Sequence, residues 1–170
     1  AKAKKLIAES GVKTPIQVDF MVPNNPETRQ VAEVIQAMAA EAGFDMKIRV
    51  TEFATSLTEA ENGRYQAYLI AWSGRTDPDG NIYSFAKTGQ ALNYSGFSDA
   101  TVDALLDEAR TKTSPAERKA TYEKATQKLV EDGGIIYLYH RLVIIAHTTR
   151  LQGYTQMPDG LVRVKGLKLN

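Results

Sequence analysis

The chain has 170 residues, about one domain by a soft prior of roughly 150 residues per domain, with little left for a second. Lys and Arg number 21 against 20 Asp and Glu, a formal charge of +1, which removes the electrostatic argument for a nucleic-acid or membrane-surface partner. Apolar residues at 43% and charged residues at 24% exclude a disordered chain, and the absence of cysteine excludes thiolate metal sites, thiol nucleophiles and disulfides.

Residues 2–9 read as a short helix stopped at Ser10-Gly11, and Glu9 interrupts them before an export-signal apolar stretch develops. No apolar run approaches the ~20 residues needed to cross a bilayer, so neither an anchor nor an export signal is expected in these residues. Ile16, Val18, Phe20 and Val22 then alternate with Gln17, Asp19 and Met21, the two-residue period of a first strand with one face well buried. Asn25 is a good N-cap and Pro26 a good first helical residue, because the missing N–H of proline does no harm there. The helix that follows carries Val31, Val34, Ile35, Met38 and Ala42 as an apolar stripe and closes at Gly43. Met46, Ile48 and Val50 alternate with Lys47, Arg49 and Thr51 in a second strand, and a short helical segment over 53–62 ends at Gly63. Residues 65–72 are nearly continuously apolar, as in a central third strand covered on both faces. Right-handed crossovers favour a parallel sheet for this βαβαβ unit, with both helices packed against it; if its order is 2-1-3, the loops after the first and third strands are neighbours.

From Thr101 the helical period returns in Val102, Leu105, Leu106 and Ala109, and again in Tyr122, Ala125 and Leu129 after Ser114, Pro115 and Glu117, which form a capping-box series. Met38, Met46 and Tyr122 are assigned to the core on their periodic positions. The runs 135–139 and 143–146 are β-rich and suit either a hairpin or one long bent strand. Val162 and Val164 alternate with Arg163 and Lys165 in a last expected strand.

Ligands of open parallel sheets collect at the carboxyl ends of the strands, which singles out the loops over 23–26 and 73–81. The second, Trp72-Ser73-Gly74-Arg75-Thr76-Asp77-Pro78-Asp79-Gly80-Asn81, combines an aromatic, a cation, two acids and turn residues. Trp72, Ser73, Gly74, Arg75 and Asp77 are the candidate ligand-binding residues. Asp77 and Asp79 also suit an ordinary tight turn running into a capped helix. A calcium loop starting at Asp77, Asp79 and Asn81 fails, because Ile82 and Thr88 stand where glycine and glutamate are required. His140 and His147 would point to opposite faces of one strand, which disfavours joint metal binding, and no nucleophile lies near His147 in sequence. Neither G-x-G-x-x-G nor G-x-x-x-x-G-K-[ST] occurs. No catalytic set, metal or cofactor is expected.

Three stretches carry a resemblance: Ala71-Trp72-Ser73-Gly74 with Asp77-Pro78-Asp79; Asn93-Tyr94-Ser95-Gly96-Phe97-Ser98-Asp99 leading into Val102-Asp103, Leu105-Leu106 and Ala109-Arg110; and Ile135-Ile136-Tyr137-Leu138-Tyr139 through Leu151-Gln152-Gly153-Tyr154. In order and spacing they resemble the C-terminal lobe of the extracytoplasmic solute-binding proteins of peptide-type ABC importers, the dipeptide, oligopeptide and nickel family. Members are several times longer, so the resemblance implies a fragment: an α/β lobe of the type II periplasmic-binding-protein fold, with a βαβαβ mixed sheet and flanking helices. Residues 1–159 would form the ligand-binding lobe, and 160–170 the segment returning towards the missing N-terminal lobe. The implied function is periplasmic capture of a peptide or other small solute for an ABC permease, without catalysis and without a nucleic-acid partner. In peptide-binding relatives an acid just after the tryptophan pairs with the ligand's ammonium group. Arg75 stands at the third position after Trp72 here and Asp77 is the nearest acid, so either Asp77 takes the amine role or the ligand is not a free-amine peptide.

A small α/β enzyme and a stand-alone interaction module remain as alternatives; a phosphotransfer receiver would need an acid where the third strand ends in Trp72. If the chain is a fragment, Leu161, Val162, Val164, Leu167 and Leu169 lack their partners, and disorder after Asp159 or pairing with another copy is expected.

Overall fold

Local capping sets the first elements. Asn25 is extended and its side chain accepts the Thr28 N–H at 3.1 Å, so Pro26 opens helix α2 (Pro26–Ala42) without losing a hydrogen bond. At the other end Gly43 adopts φ 104°, a left-handed conformation that lets its N–H close back on Ala39 and Ala40, and the chain passes directly into a strand. In the structure, a computed structural model describing residues 2–132 and 134–170, the elements ahead of Trp72 are α1 (Lys2–Ser10), β1 (Ile16–Pro23), α2, β2 (Phe44–Thr51), α3 (Phe53–Glu61) and β3 (Ala67–Tyr68). Among the described residues no helix is long and apolar enough to cross a membrane.

The chain divides into two compact units, the first ending at Trp72 and the second spanning Ser73–Asn170. In the first, the sheet is wholly parallel in the order β2-β1-β3, with Ile16 level with Phe44 and Phe20 level with Ala67. That order makes the two right-handed crossovers run in opposite directions, which puts α2 and α3 on opposite faces. The end of β1 is therefore buried on both sides: Phe20 and Val22 pack with Ala32, Ile35, Met46 and Ile48, while Met21 is fully buried from the other side. Ser56 of α3, also fully buried, is satisfied by the Phe53 carbonyl at 2.7 Å and the Tyr68 hydroxyl at 2.8 Å.

Two expectations fail in this unit. The third strand is shorter than residues 65–72: regular pairing covers only Ala67–Tyr68, extended by Leu69 N donating to Met21 O at 3.0 Å, and Ile70 and Trp72 are 41% and 45% exposed. The apolar stripe of α2 is also displaced. Ala32 and Ile35 meet the sheet, whereas Val34 and Met38 are 59% and 68% exposed. Met46 and Tyr122 do pack in cores as expected.

The second unit holds α4 (Asp79–Ala86), α5 (Ala100–Thr111), α6 (Pro115–Asp132), β4 (Leu151–Gln152) and β5 (Lys168–Leu169). Asp99 caps α5 by accepting the Thr101 and Val102 N–H groups at 2.8 and 2.9 Å. The core lies between α5 and α6, where Val102, Leu106 and Ala109 meet Tyr122, Ala125 and Leu129, with Ala86 of α4 beside them. The runs 135–139 and 143–146 form neither a hairpin nor a strand: no regular element occurs over 134–148, and Ile136, Leu142 and Ile144 are 84%, 83% and 88% exposed. These side chains find no apolar surface to alternate against, so sequence period alone does not produce a ladder. The expected strand around Val162 and Val164 is likewise displaced to β5, which pairs antiparallel with β4 of the same chain. Leu161, Val162, Val164 and Leu169 nevertheless stay exposed.

Leu106 is fully buried in the helix-pair core. Leu106→Ala should destabilise the second unit by about 2–5 kcal/mol, read as a lower midpoint in urea unfolding followed by circular dichroism.

Candidate functional site

The loop ahead of α4 is held by one side chain in that helix's first turn. Asn81 Oδ1 accepts the Arg75 N–H at 2.6 Å, while Asn81 Nδ2 donates to the Arg75 and Asp77 carbonyls at 2.7 and 3.1 Å. Asp77 Oδ1 accepts the Asp79 N–H at 2.8 Å, an Asx turn that aims the chain into α4. Gly80 leaves room for this: a Cβ there would lie 3.0 Å from Arg75 Cβ and Cγ. Asp77-Pro78-Asp79 thus does the work of a turn running into a helix, the plainer of its two sequence readings.

Both acids of that turn are gripped from the helices behind it. Arg118 of α6 donates from its two terminal nitrogens to Asp77 Oδ2 and Oδ1, each at 2.7 Å. Arg110 of α5 donates from Nε and the second terminal nitrogen to Asp79 Oδ1 and Oδ2, each at 2.8 Å. Tyr122 joins the two pairs, its hydroxyl accepting from Arg118 at 3.2 Å and donating to Asp79 at 3.4 Å. The Arg110 guanidinium also lies 3.2 Å from the centre of the Tyr83 ring. The Arg118 guanidinium, helped by the Asp79 N–H, holds the Asp77 carboxyl down at about 2, and Arg110 lowers Asp79 against the burial that would raise it. Burial, and then the Asp79 charge, pushes the Tyr122 phenol up.

The candidate residues separate on this scaffold. Ser73, Gly74, Arg75 and Thr76 line a concavity of about 240 Å³ together with Asp159 and Leu161. Inside it Arg75 donates to Ser73 Oγ at 3.1 Å and to the Gly74 carbonyl at 2.7 Å. Asp159 accepts the Leu161 N–H at 3.0 Å and pairs with Arg163 at 2.6 Å, which lowers its carboxyl. Asp77 is not among the lining residues; its carboxylate is on Arg118. Trp72 closes the first unit and is about half exposed. A larger, shallow groove of about 590 Å³ runs along α6, but Arg118 there is committed to Asp77 and Lys119 to Glu123, so the smaller concavity is the better candidate. Sequence reading missed Asp159 and Leu161 as lining residues and Arg110 and Arg118 as anchors. The only signal for them was the turn-forming Pro158-Asp159-Gly160, since pairing across the chain leaves no local pattern.

The concavity carries a guanidinium and a carboxylate on its wall, groups suited to polar contacts. Residues 1–93 match the family described as "Bacterial extracellular solute-binding proteins, family 5 Middle". The dipeptide-binding protein of Escherichia coli (strain K12) is 29% identical over 168 residues, which are 94% of this chain and 31% of that protein. Heme-binding protein A of Haemophilus influenzae is also 29% identical, over 99% of this chain and 32% of its own length. Among solved structures, HbpA2 from Haemophilus parasuis superposes with a TM-score of 0.83 at 28% identity, covering 99% of this chain and 35% of that one. The ABC transporter-associated periplasmic binding protein DppA from Helicobacter pylori, in complex with peptide STSA, gives 0.69 at 27% identity over 78% of this chain and 27% of its own. The chain spans about a third of the length of the curated relatives it matches.

Because its folded pKa is depressed, Asp77 contributes stability that is fully present above its ordinary 3.8 and is lost as pH falls through about 2. Urea unfolding across that window should therefore show a smaller acid loss for Asp77→Asn than for the wild type; identical pH slopes would mean that the Arg118 pair contributes nothing.

Proposed function

The chain belongs to the bacterial extracellular solute-binding proteins of family 5, and from that premise we propose that it is the C-terminal ligand-binding lobe of a two-lobed clamp. The clamp captures a peptide or similar small solute outside the cytoplasm, in the periplasm, and delivers it to an ABC permease. The lobe binds and releases without catalysis. Residues 1–159 make up the lobe, 160–170 lead towards the lobe supplied by the remainder of the longer polypeptide, and closure of the two around the solute is the switching step. The peptide-binding and heme-binding relatives support small-solute capture as the shared activity.

The observation that carries this reading on the chain itself is the concavity at loop 73–76, at the mouth of a segment singled out by its chemistry. Arg75 meets the solute there, with Ser73 and Gly74 beside it; Trp72 is the aromatic of the candidate set. A guanidinium offers paired planar donors, so the solute presents a carboxylate or another anionic group to Arg75. Asp77 makes no contact with the solute while Arg118 holds it.

Isothermal calorimetry on the full-length protein tests this. Arg75→Ala should weaken binding of the cognate solute by about tenfold or more, the scale of one charge-assisted hydrogen bond. Unchanged affinity in both Arg75→Ala and Asp77→Ala would remove the loop from the site. Denaturing the purified protein should release an unaltered small molecule, whereas turnover of that molecule would overturn the non-catalytic reading.

A further inference from the structure

The chain between β4 and β5 doubles back on itself. Leu151 stands level with Leu169 and Gln152 with Lys168, so the loop over 153–167 leaves and returns at one narrow neck. At that neck Gly153 and Gly166 take φ 78° and 89°, and a Cβ on Gly153 would lie 2.5 Å from the Gly166 carbonyl oxygen, an approach only glycine permits. The loop is held in shape by its own bonds. The Gly160 N–H donates to the Met157 carbonyl at 3.0 Å, the Leu167 N–H to the Val164 carbonyl at 3.2 Å and the Leu161 N–H to Asp159 Oδ1 at 3.0 Å, while Arg163 donates to the same carboxylate at 2.6 Å. Compact loops with joined ends and internal packing of this kind are frequently functional. Its seat is slight by comparison. None of the described residues 153–167 is buried, and Leu161, Val162 and Val164 are 57%, 57% and 77% exposed. Above the neck, among the described residues, one hydrogen bond leaves the loop, from Gln156 Nε2 to the Val143 carbonyl at 3.1 Å, and one ring contact, Tyr154 against His147 at 5.4 Å between centres. Both seats lie in 134–148, where no regular element occurs. A segment that gives up so few bonds and so little apolar contact opens at a free energy well below that of the helix core.

That loop nevertheless builds part of the site. Its tip supplies Asp159 and Leu161 to the concavity whose other wall is Ser73, Gly74, Arg75 and Thr76. We propose that residues 153–167 form a flap that swings as one body about the Gly153–Gly166 neck, closing the concavity when seated and admitting the solute when lifted. The Asp159–Arg163 pair lies wholly within the flap, so lifting breaks neither it nor the turn at Gly160. What lifting does break is the Gln156 bond and the Tyr154 ring contact, both outside the lining of the concavity. The flap therefore governs passage: while seated it hinders entry and exit alike. This inference rests on the binding reading proposed for loop 73–76.

The test uses the full-length protein with alanyl-alanine as the probe. Thr76→Cys and Val162→Cys carry nitroxides across the mouth of the concavity, and pulsed electron paramagnetic resonance reads their separation. The same pair, unlabelled, is joined by a short bis-thiosulfonate bridge that reductant removes. Without the probe two separations should be populated, and alanyl-alanine should shift them to the shorter. Stopped-flow association and dissociation rates should both fall by about tenfold or more in the bridged protein and recover on reduction, because the bridge raises the barrier between the same two end states. Gly153→Ala, which cannot close the neck, should act in the opposite sense and speed both rates while leaving the helical circular dichroism unchanged. A single separation that alanyl-alanine leaves in place overturns the inference, as do rates that neither the bridge nor Gly153→Ala moves; in both cases binding at loop 73–76 stands. If alanyl-alanine binds no form although two separations are seen, the binding reading for this ligand class fails and the inference fails with it.

Discussion

Two guanidinium–carboxylate forks, Arg118 on Asp77 and Arg110 on Asp79, tie the bend ahead of α4 to the helix pair that forms the core of the second unit. Their worth is orientation before energy. Asp77 is 55% exposed and Arg110 45%, and pairs so wet contribute at most about 1 kcal/mol each to stability. What a fork supplies, and a looser contact does not, is a fixed plane and a fixed distance. The Asn81 side chain completes the restraint by bonding the backbone of Arg75 on both sides. The concavity with Arg75 on its wall lies beside those three anchors.

How far the fold can be read from the chain depends on whether a pattern is answered by a local partner. The N-cap of α2, its stop at Gly43, the alternation in β1 and β2 and the cap at Asp99 involve residues a few positions apart, and all are found where their chemistry places them. Crossover handedness favours a parallel sheet, which is found; its 2-1-3 order, which handedness alone does not choose, is supplied by the structure. The misreadings are apolar segments whose partners are not local. Residues 135–146 have the composition of strands but face no neighbouring ladder, and the end of the expected third strand leaves the sheet after Leu69. In α2, Met38 fits the helical period as well as Ile35 does, yet only Ile35 packs with Ala32 against the sheet.

The candidate site was legible in part for the same reason. The density of turn and charged residues after Trp72 marks the loop, and Ser73, Gly74 and Arg75 do line the concavity. Asp77 carries two readings in the sequence, ligand contact and turn; its pair with Arg118, far along the chain on another helix, leaves no local trace there. Asp159 and Leu161 reach the same wall from the other end of the unit. The exposed apolar side chains at Ile136, Leu142, Ile144 and Val164 are of the kind a further protein surface would cover, in keeping with relatives about three times as long.

Tyr122 links the two halves of this arrangement in a single side chain. Its ring is packed among Val102, Leu106 and Ala125 in the helix core, and its hydroxyl stands between Arg118 and Asp79. Heat or denaturant that loosens the helix pair must therefore also slacken the bend, and the bend cannot fray early while the ring stays seated. The bend and the hydrophobic interior behind it thus share one side chain, so wear in one is felt at once in the other.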